Sequence, residues 1–303
     1  MMVIGFLAAV SLIRRLSRSF TPNPQYITNA ALYSLIGGVA GARLFYVIHY
    51  FDSFRDDLLS VFAIQQGGLE LLGGVVLAII IIVFYLLYHK LPVRRYLDVL
   101  AIGLVLALVF GRIGCFLFGC CFGKPTNLPW GVRFPYDSLA YNSQVNPNPL
   151  RNRFVPYLQL PSDYFVESNN FQYLKSYEQL TEDQKTQVTT GKFRCLPVHP
   201  TQLYSSATAA ILCLILYLFW RRSQNAERSK NSGKFLNKPG QTFALMFILY
   251  SIARFFMEFI RDDNPFELDG LTVSQLIAVP MLAFGIILVA VFQKMRSDKI
   301  SPD

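Results

Sequence analysis

Long apolar runs separated by short polar ones make up most of this chain. The runs cover Met1–Leu12, Ile27–Ile48, Gly67–Tyr88, Leu97–Phe118, Thr201–Trp220, Thr242–Ile260 and Leu271–Phe292. A helix crosses the hydrocarbon of a bilayer with about 20 such residues. Six runs approach that length; the first is shorter and reads as a helix lacking its opening turn, whether through a late start codon or a truncation. No small-residue cleavage site follows its "IRRLSR" ending, so the pattern predicts no cleavable signal peptide.

The polar connections carry the sidedness. "RRLSR", "HKLPVRR", "RRSQNAERSKNSGKFLNK" and "QKMRSDK" follow alternate runs and hold most of the lysine and arginine found in short loops. The other connections are "YFDSFRDD", "RDDNPFELDG" and a long polar insert. Because basic short loops stay in the cytoplasm, the pattern predicts an all-α polytopic membrane protein of about seven transmembrane helices. Its N-terminus is outside and its C-terminus cytoplasmic. Residues 1–303 form a single transmembrane domain, with residues 122–198 inserted between helices four and five as an extracytoplasmic cap. The insert is rich in Asn, Tyr, Ser, Pro and Gln, and one helix is expected near "SYEQLTEDQKTQV".

Composition sharpens this. The chain has 303 residues, of which 53% are hydrophobic and only 16% charged, too few charges for a soluble domain of that length. The net charge of +9 would suit nucleic acid, but the basic residues lie in short clusters between apolar runs and encode topology instead.

Several charges fall where lipid should be. An arginine at the middle of a membrane helix costs about 2.5–3.5 kcal/mol on insertion scales, so such residues face a cavity or a partner. Arg43 closes "GGVAGAR", Arg112 lies in the outer half of the fourth run, and "HPTQLY" places His199, Gln202 and Tyr204 at the mouth of the fifth. "YSIARFFMEFIRDD" sets Tyr250, Arg254, Glu258 and Arg261 on one helical stripe. With the derived orientation these groups converge on the outer half of the bilayer. Surplus guanidinium at that depth suits the phosphate of an anionic lipid. For Arg254 and Glu258 the alternative is a buried ion pair that only joins helices; for Arg43 it is a side chain that snorkels at a helix end.

The glycines of "GGVAGA", "GGLELLGG" and "GRIG" let helices pack closely, or leave room for a bulky lipid beside the arginines. Among the cysteines, the C-x4-C-C spacing of Cys115, Cys120 and Cys121 matches no zinc or thioredoxin pattern, so no metal is expected. Cys213 reads as packing. Cys120, Cys121 and Cys195 map outside, where disulfides persist, and a bridge from Cys195 to Cys120 or Cys121 would tie the cap to the fourth helix.

In order along the chain, "GGVAGARLFYVIHY", "GGLELLGG", "GRIGCFLFGCCFGKP", "HPTQLY", "YSIARFFMEFIRDD" and "GLTVSQLIAVPM" resemble the prolipoprotein diacylglyceryl transferases. The resemblance implies an enzyme of the bacterial cytoplasmic membrane that moves the diacylglyceryl group of phosphatidylglycerol to the lipobox cysteine thiol of prolipoproteins and releases glycerol phosphate. It matches Arg112 to the family's phospholipid-binding arginine and His199 and Gln202 to its H-P-[ST]-Q-L-Y motif; Arg43, Tyr204, Tyr250 and Arg261 join the phospholipid-binding set from their place in the polar cluster, and no cofactor is expected. Arg254 and Glu258 correspond to the family's essential R-F-x-x-E-F pair. The general base is then Glu258 or His199, with His199 favoured because histidine titrates near neutrality.

The chain departs from the family pattern in three places. Cys115 and Cys120 stand where the family usually has Asn and Glu, Leu72 stands where many members have a histidine, and no tyrosine opens the first run. The competing readings are a non-catalytic phospholipid- or lipoprotein-binding paralogue and a lipid transporter.

Overall fold

The structure, a computed structural model, describes residues 1–21, 23, 25–54, 60–61, 70–168, 171–228, 237–268 and 270–295. Nine α-helices are found among them: α1 Met2–Ser17, α2 Gln25–His49, α3 Leu71–Tyr88, α4 Val93–Phe118, α5 Leu139–Val145, α6 Glu182–Thr189, α7 Thr201–Arg228, α8 Gln241–Met257 and α9 Val273–Lys294. Two antiparallel hairpins accompany them, β1 Phe165–Ser168 with β2 Phe171–Leu174, and β3 Phe266–Leu268 with β4 Leu271–Thr272. By length and apolar composition, α2, α4, α7 and α9 suffice to cross a membrane; α8 and the Val76–Tyr88 part of α3 are shorter apolar helices. Large apolar side chains such as Phe84, Leu117, Phe118, Phe256 and Ile286 are exposed on these helices. Lipid, not water, is the solvent that tolerates such a surface.

The chain forms two compact units. The first comprises residues 1–5, 105–218 and 244–290, and the second residues 6–104, 219–243 and 291–303.

In the second unit the glycines of α2 face those of α3. A Cβ on Gly41 would lie 2.6 Å from the Gly73 carbonyl, and one on Gly74 2.7 Å from the Gly38 carbonyl. Close backbone approach therefore explains "GGVAGA" and the second half of "GGLELLGG" as helix packing; Gly67 and Gly68 lie outside the described residues. Arg43 is buried here. Its guanidinium donates to the Ser60 carbonyl at 2.6 Å and the Val61 carbonyl at 2.7 Å, over the rings of Tyr46 and Phe54. Asp98 accepts from the Gly240 and Phe243 N–H groups at 2.7 and 2.9 Å, satisfying donors at the start of α8 that lack an intrahelical partner.

In the first unit the insert has an apolar core of its own. Phe122, Phe134, Tyr141, Leu158, Cys195 and Val198 pack together, and Tyr164, Leu180 and Val188 form a smaller cluster. The expected helix is α6, started by Thr181 in a capping box with Gln184. The sequence reading did not anticipate α5 or the β1–β2 hairpin. Cys195 is not bridged: its thiol donates to the Leu196 carbonyl at 3.4 Å and to Gln144 Oε1 at 3.6 Å, and none of the five cysteines is in a disulfide. Backbone pairing instead ties the start of the insert to the approach to α7 and to the turn after α8. Gly123 N–H donates to the His199 carbonyl, Lys124 N–H to the Ile260 carbonyl and Asp262 N–H to the Phe122 carbonyl, at 2.9–3.3 Å.

Candidate active site

The first unit's polar cluster draws on the body of α4 and α8 and on the turn that follows α8. The stripe expected on one continuous helix is interrupted: α8 stops at Met257, and i→i+3 bonds from Phe259, Ile260 and Arg261 tighten the chain into a turn. Glu258 and Arg261 therefore sit beyond the helix but still face Arg254. Glu258 is fully buried, with Oε2 at 3.0 Å from Arg254 Nη1 and 3.9 Å from Arg261 Nε, while Oε1 accepts from Asn264. Arg254 Nη2 also donates to Ser274 Oγ at 2.5 Å. Arg261 is held bidentately by Asp263, at 2.6 and 2.9 Å. Burial opposes the Arg261 charge, but the Asp263 bonds outweigh it and raise its pKa above the ordinary arginine value.

Beside this network lies a small cavity of about 30 Å³, open at its mouth. Leu108 and Arg112 of α4, Ser205, Thr208, Ala209 and Leu212 of α7, and Tyr250, Ala253, Arg254 and Met257 of α8 line it. Two guanidinium groups and a phenol thus face an otherwise mostly apolar space. Arg254 is neutralised by Glu258. Arg112 is half-buried and has no hydrogen bond or ion pair among the described residues. A half-buried, uncompensated guanidinium is costly unless an anion completes it. A Cβ on Gly111 would meet nothing within 4 Å, so at this glycine there is space rather than close packing.

Arg112, Tyr250 and Arg254 share the cavity, and Glu258 and Arg261 stand behind it. Gln202 and Tyr204 are not among its lining residues. Gln202 is fully buried and its Nε2 donates to the Cys120 carbonyl at 2.6 Å. Tyr204 accepts from Trp130 Nε1 at 2.7 Å and lies 3.4 Å from His199 Nδ1, which leaves His199 Nε2 without a hydrogen bond among the described residues. Arg43 belongs to the second unit. The side chain of Leu72 lies outside the described residues.

Sequence reasoning missed one feature. The thiols of Cys115, Cys120 and Cys121 all lie within 4.8 Å of one another. The signal was Gly119, which ends α4 with φ +77°. Gly119 N–H bonds to the Phe116 carbonyl and Cys120 N–H to the Cys115 carbonyl, both at 3.2 Å, in the Schellman arrangement that folds the residue after the glycine onto the helix's last turn. A C-x4-C spacing that ends on such a turn brings its cysteines together.

Apolar helices that expose their side chains define a membrane protein. The sequence narrows this class to one family. The prolipoprotein diacylglyceryl transferase family matches residues 1–291, and the chain belongs to it. It is 28% identical over 286 residues to the phosphatidylglycerol–prolipoprotein diacylglyceryl transferase of Clostridium tetani, spanning 94% of this chain and 88% of that relative. A second enzyme of that name from Clostridium perfringens is 27% identical over 288 residues, 95% of this chain and 87% of the relative. The Synechococcus elongatus enzyme is 26% identical over 299 residues, 98% of this chain and 84% of the relative.

Proposed function

We propose that this chain transfers the diacylglyceryl group of phosphatidylglycerol to the lipobox cysteine of prolipoproteins, the reaction for which its relatives are named. The observation that carries the reading is Arg112, a half-buried guanidinium lacking a protein partner in a cavity otherwise lined mostly by apolar groups. A phospholipid supplies both halves of its complement, an anionic phosphate and acyl chains.

The substrate thiolate attacks the glycerol carbon that bears the phosphate. A C–S bond forms, the C–O bond to phosphate breaks, and glycerol phosphate leaves with the electron pair. Negative charge grows on the phosphate oxygens, so Arg112 and Arg254 stabilise the transition state more than the ground state. Glu258 pairs with Arg254 through Oε2 and accepts from Asn264 at Oε1, the placement of a group that positions Arg254. His199 presents a free Nε2 and takes the thiol proton.

The same reading makes the protein a multi-pass component of the bacterial cytoplasmic membrane, with seven spans, the N-terminus outside and the insert of residues 122–198 on the outer face. The distribution of basic loops supports this orientation. The test is purified protein in phosphatidylglycerol vesicles with a lipobox peptide. Release of glycerol phosphate matched to thioether formation supports the reading, and lipid binding without release contradicts it.

A further inference from the structure

We propose that Cys115, Cys120 and Cys121 form a three-thiolate site for a thiophilic d10 cation of the zinc(II) class. The ion's open fourth position would take the sulfur of the acceptor cysteine. The binding site stands on the geometry alone; the role of the fourth position rests on the transferase reading above.

The three thiols are gathered by backbone geometry rather than by chance packing of side chains. The Schellman turn at Gly119 lays Cys120 over Cys115, with Cys120 Sγ 3.7 Å from the Cys115 carbonyl. Cys121 then adopts φ +59°, a left-handed conformation that a non-glycine residue holds only where its surroundings impose it. Here they do: Thr201 Oγ1 donates to the Cys121 carbonyl and Gln202 Nε2 to the Cys120 carbonyl, each at 2.6 Å. The start of α7 thus fixes two consecutive carbonyls, and the strained turn presents both thiols toward the third.

Thiolates bound to zinc at about 2.3 Å in tetrahedral geometry lie roughly 3.8 Å apart. Sulfurs already within 4.8 Å of one another reach that spacing by small side-chain rotations. Cys195 cannot complete the set, because it is buried and engaged with Gln144 and Leu196. Three protein ligands with a fourth position open is the pattern of reactive rather than structural zinc. None of the three cysteines is sealed from the exterior. Charge balances as well. Three thiolates and a dication carry one net negative charge, and the Arg261 guanidinium interacts electrostatically with Cys121.

Such an ion supplies what this chain's sequence lacks relative to its family. A coordinated thiol is held as thiolate at neutral pH. The acceptor's S–H bond breaks and its proton passes to His199 or water. The sulfur binds the ion and then attacks the glycerol carbon as the C–O bond to phosphate breaks. No electrons are gained or lost.

The experiment is metal analysis of the full chain purified without chelator, repeated with Cys115→Ser, Cys120→Ser, Cys121→Ser and, as a control outside the cluster, Cys213→Ser. Wild type and Cys213→Ser should bind about one zinc ion per chain. Each cluster variant should lose it while eluting as a folded monodisperse species. Cobalt(II) should give thiolate-to-metal charge-transfer absorption in the first two only. A metal-free protein that takes up neither zinc nor cobalt overturns the site, as does a disulfide within the cluster detected by mass spectrometry. For the fourth position, removing the ion should abolish transfer, and zinc but not magnesium should restore it. Unchanged transfer without the ion overturns that role. Failure of the transferase reading would instead appear as a zinc-loaded protein that transfers nothing.

Discussion

The Gln202 amide donates to the Cys120 carbonyl at 2.6 Å from a position with no solvent exposure, joining the "HPTQLY" segment to the turn after α4. Two segments separated by 82 residues therefore share one polar anchor. Gln202→Leu removes the donor and leaves a carbonyl unpaired, a loss of about 1–3 kcal/mol. Faster hydrogen exchange over residues 119–123, with the insert core unchanged, is the expected outcome.

Two glycines should separate packing from ligand space. A Cβ on Gly123 would lie 2.7 Å from His199 Cβ and 2.8 Å from its carbonyl oxygen, so Gly123→Ala must displace His199. It should cost about 1–3 kcal/mol in thermal unfolding and most of the transfer rate. Gly111→Ala meets no protein atom within 4 Å and should leave stability unchanged or raised by up to about 1 kcal/mol. Its effect should be a higher KM for phosphatidylglycerol.

Glu258→Gln removes the fully buried carboxylate from its pair with the half-buried Arg254 and should lower stability by about 3 kcal/mol and kcat with it. If Glu258 positions Arg254 rather than accepting the proton, the surviving activity should keep the wild-type pH profile. His199→Gln should lose the ascending limb of that profile. Both are read from transfer rates across pH.

Buried Arg151 and Asp262 and half-buried Arg153 fix the insert to the turn after α8, with Arg153 Nη1 2.9 Å from Asp262. Burial raises the Asp262 pKa, and the two arginines only partly offset it. A folded-state pKa above the unfolded one means that its contribution to stability is full below the unfolded value and is lost as pH rises through the folded value. Asp262→Asn should therefore flatten this pH dependence at small cost near neutrality. Arg153→Met, which leaves a carboxylate buried beside one fewer cation, should cost more and expose the insert to protease.

The apolar runs and basic loops were legible because bilayer thickness and charge bias act on the sequence directly. Helix starts at Gln25, Thr201 and Gln241 fall within two residues of those expected. The end of α8 was not legible: nothing in "RFFMEF" signals a stop, and the turn is tied down by partners such as Ser274 and Asn264, distant from it in the sequence or beyond the helix. The cysteine cluster is not legible in the C-x4-C-C spacing, because its geometry comes from the helix cap at Gly119. Arg112 and Arg254, which line one cavity, stand out in the sequence because intramembrane charge is rare.

Complementation of a strain depleted of its diacylglyceryl transferase, with prolipoprotein modification read by gel shift, tests the central claim most directly. Wild-type chain should restore modification, and Arg112→Ala, inserted at equal level, should not. Restoration by Arg112→Ala, or its absence with inserted wild type, would contradict the account.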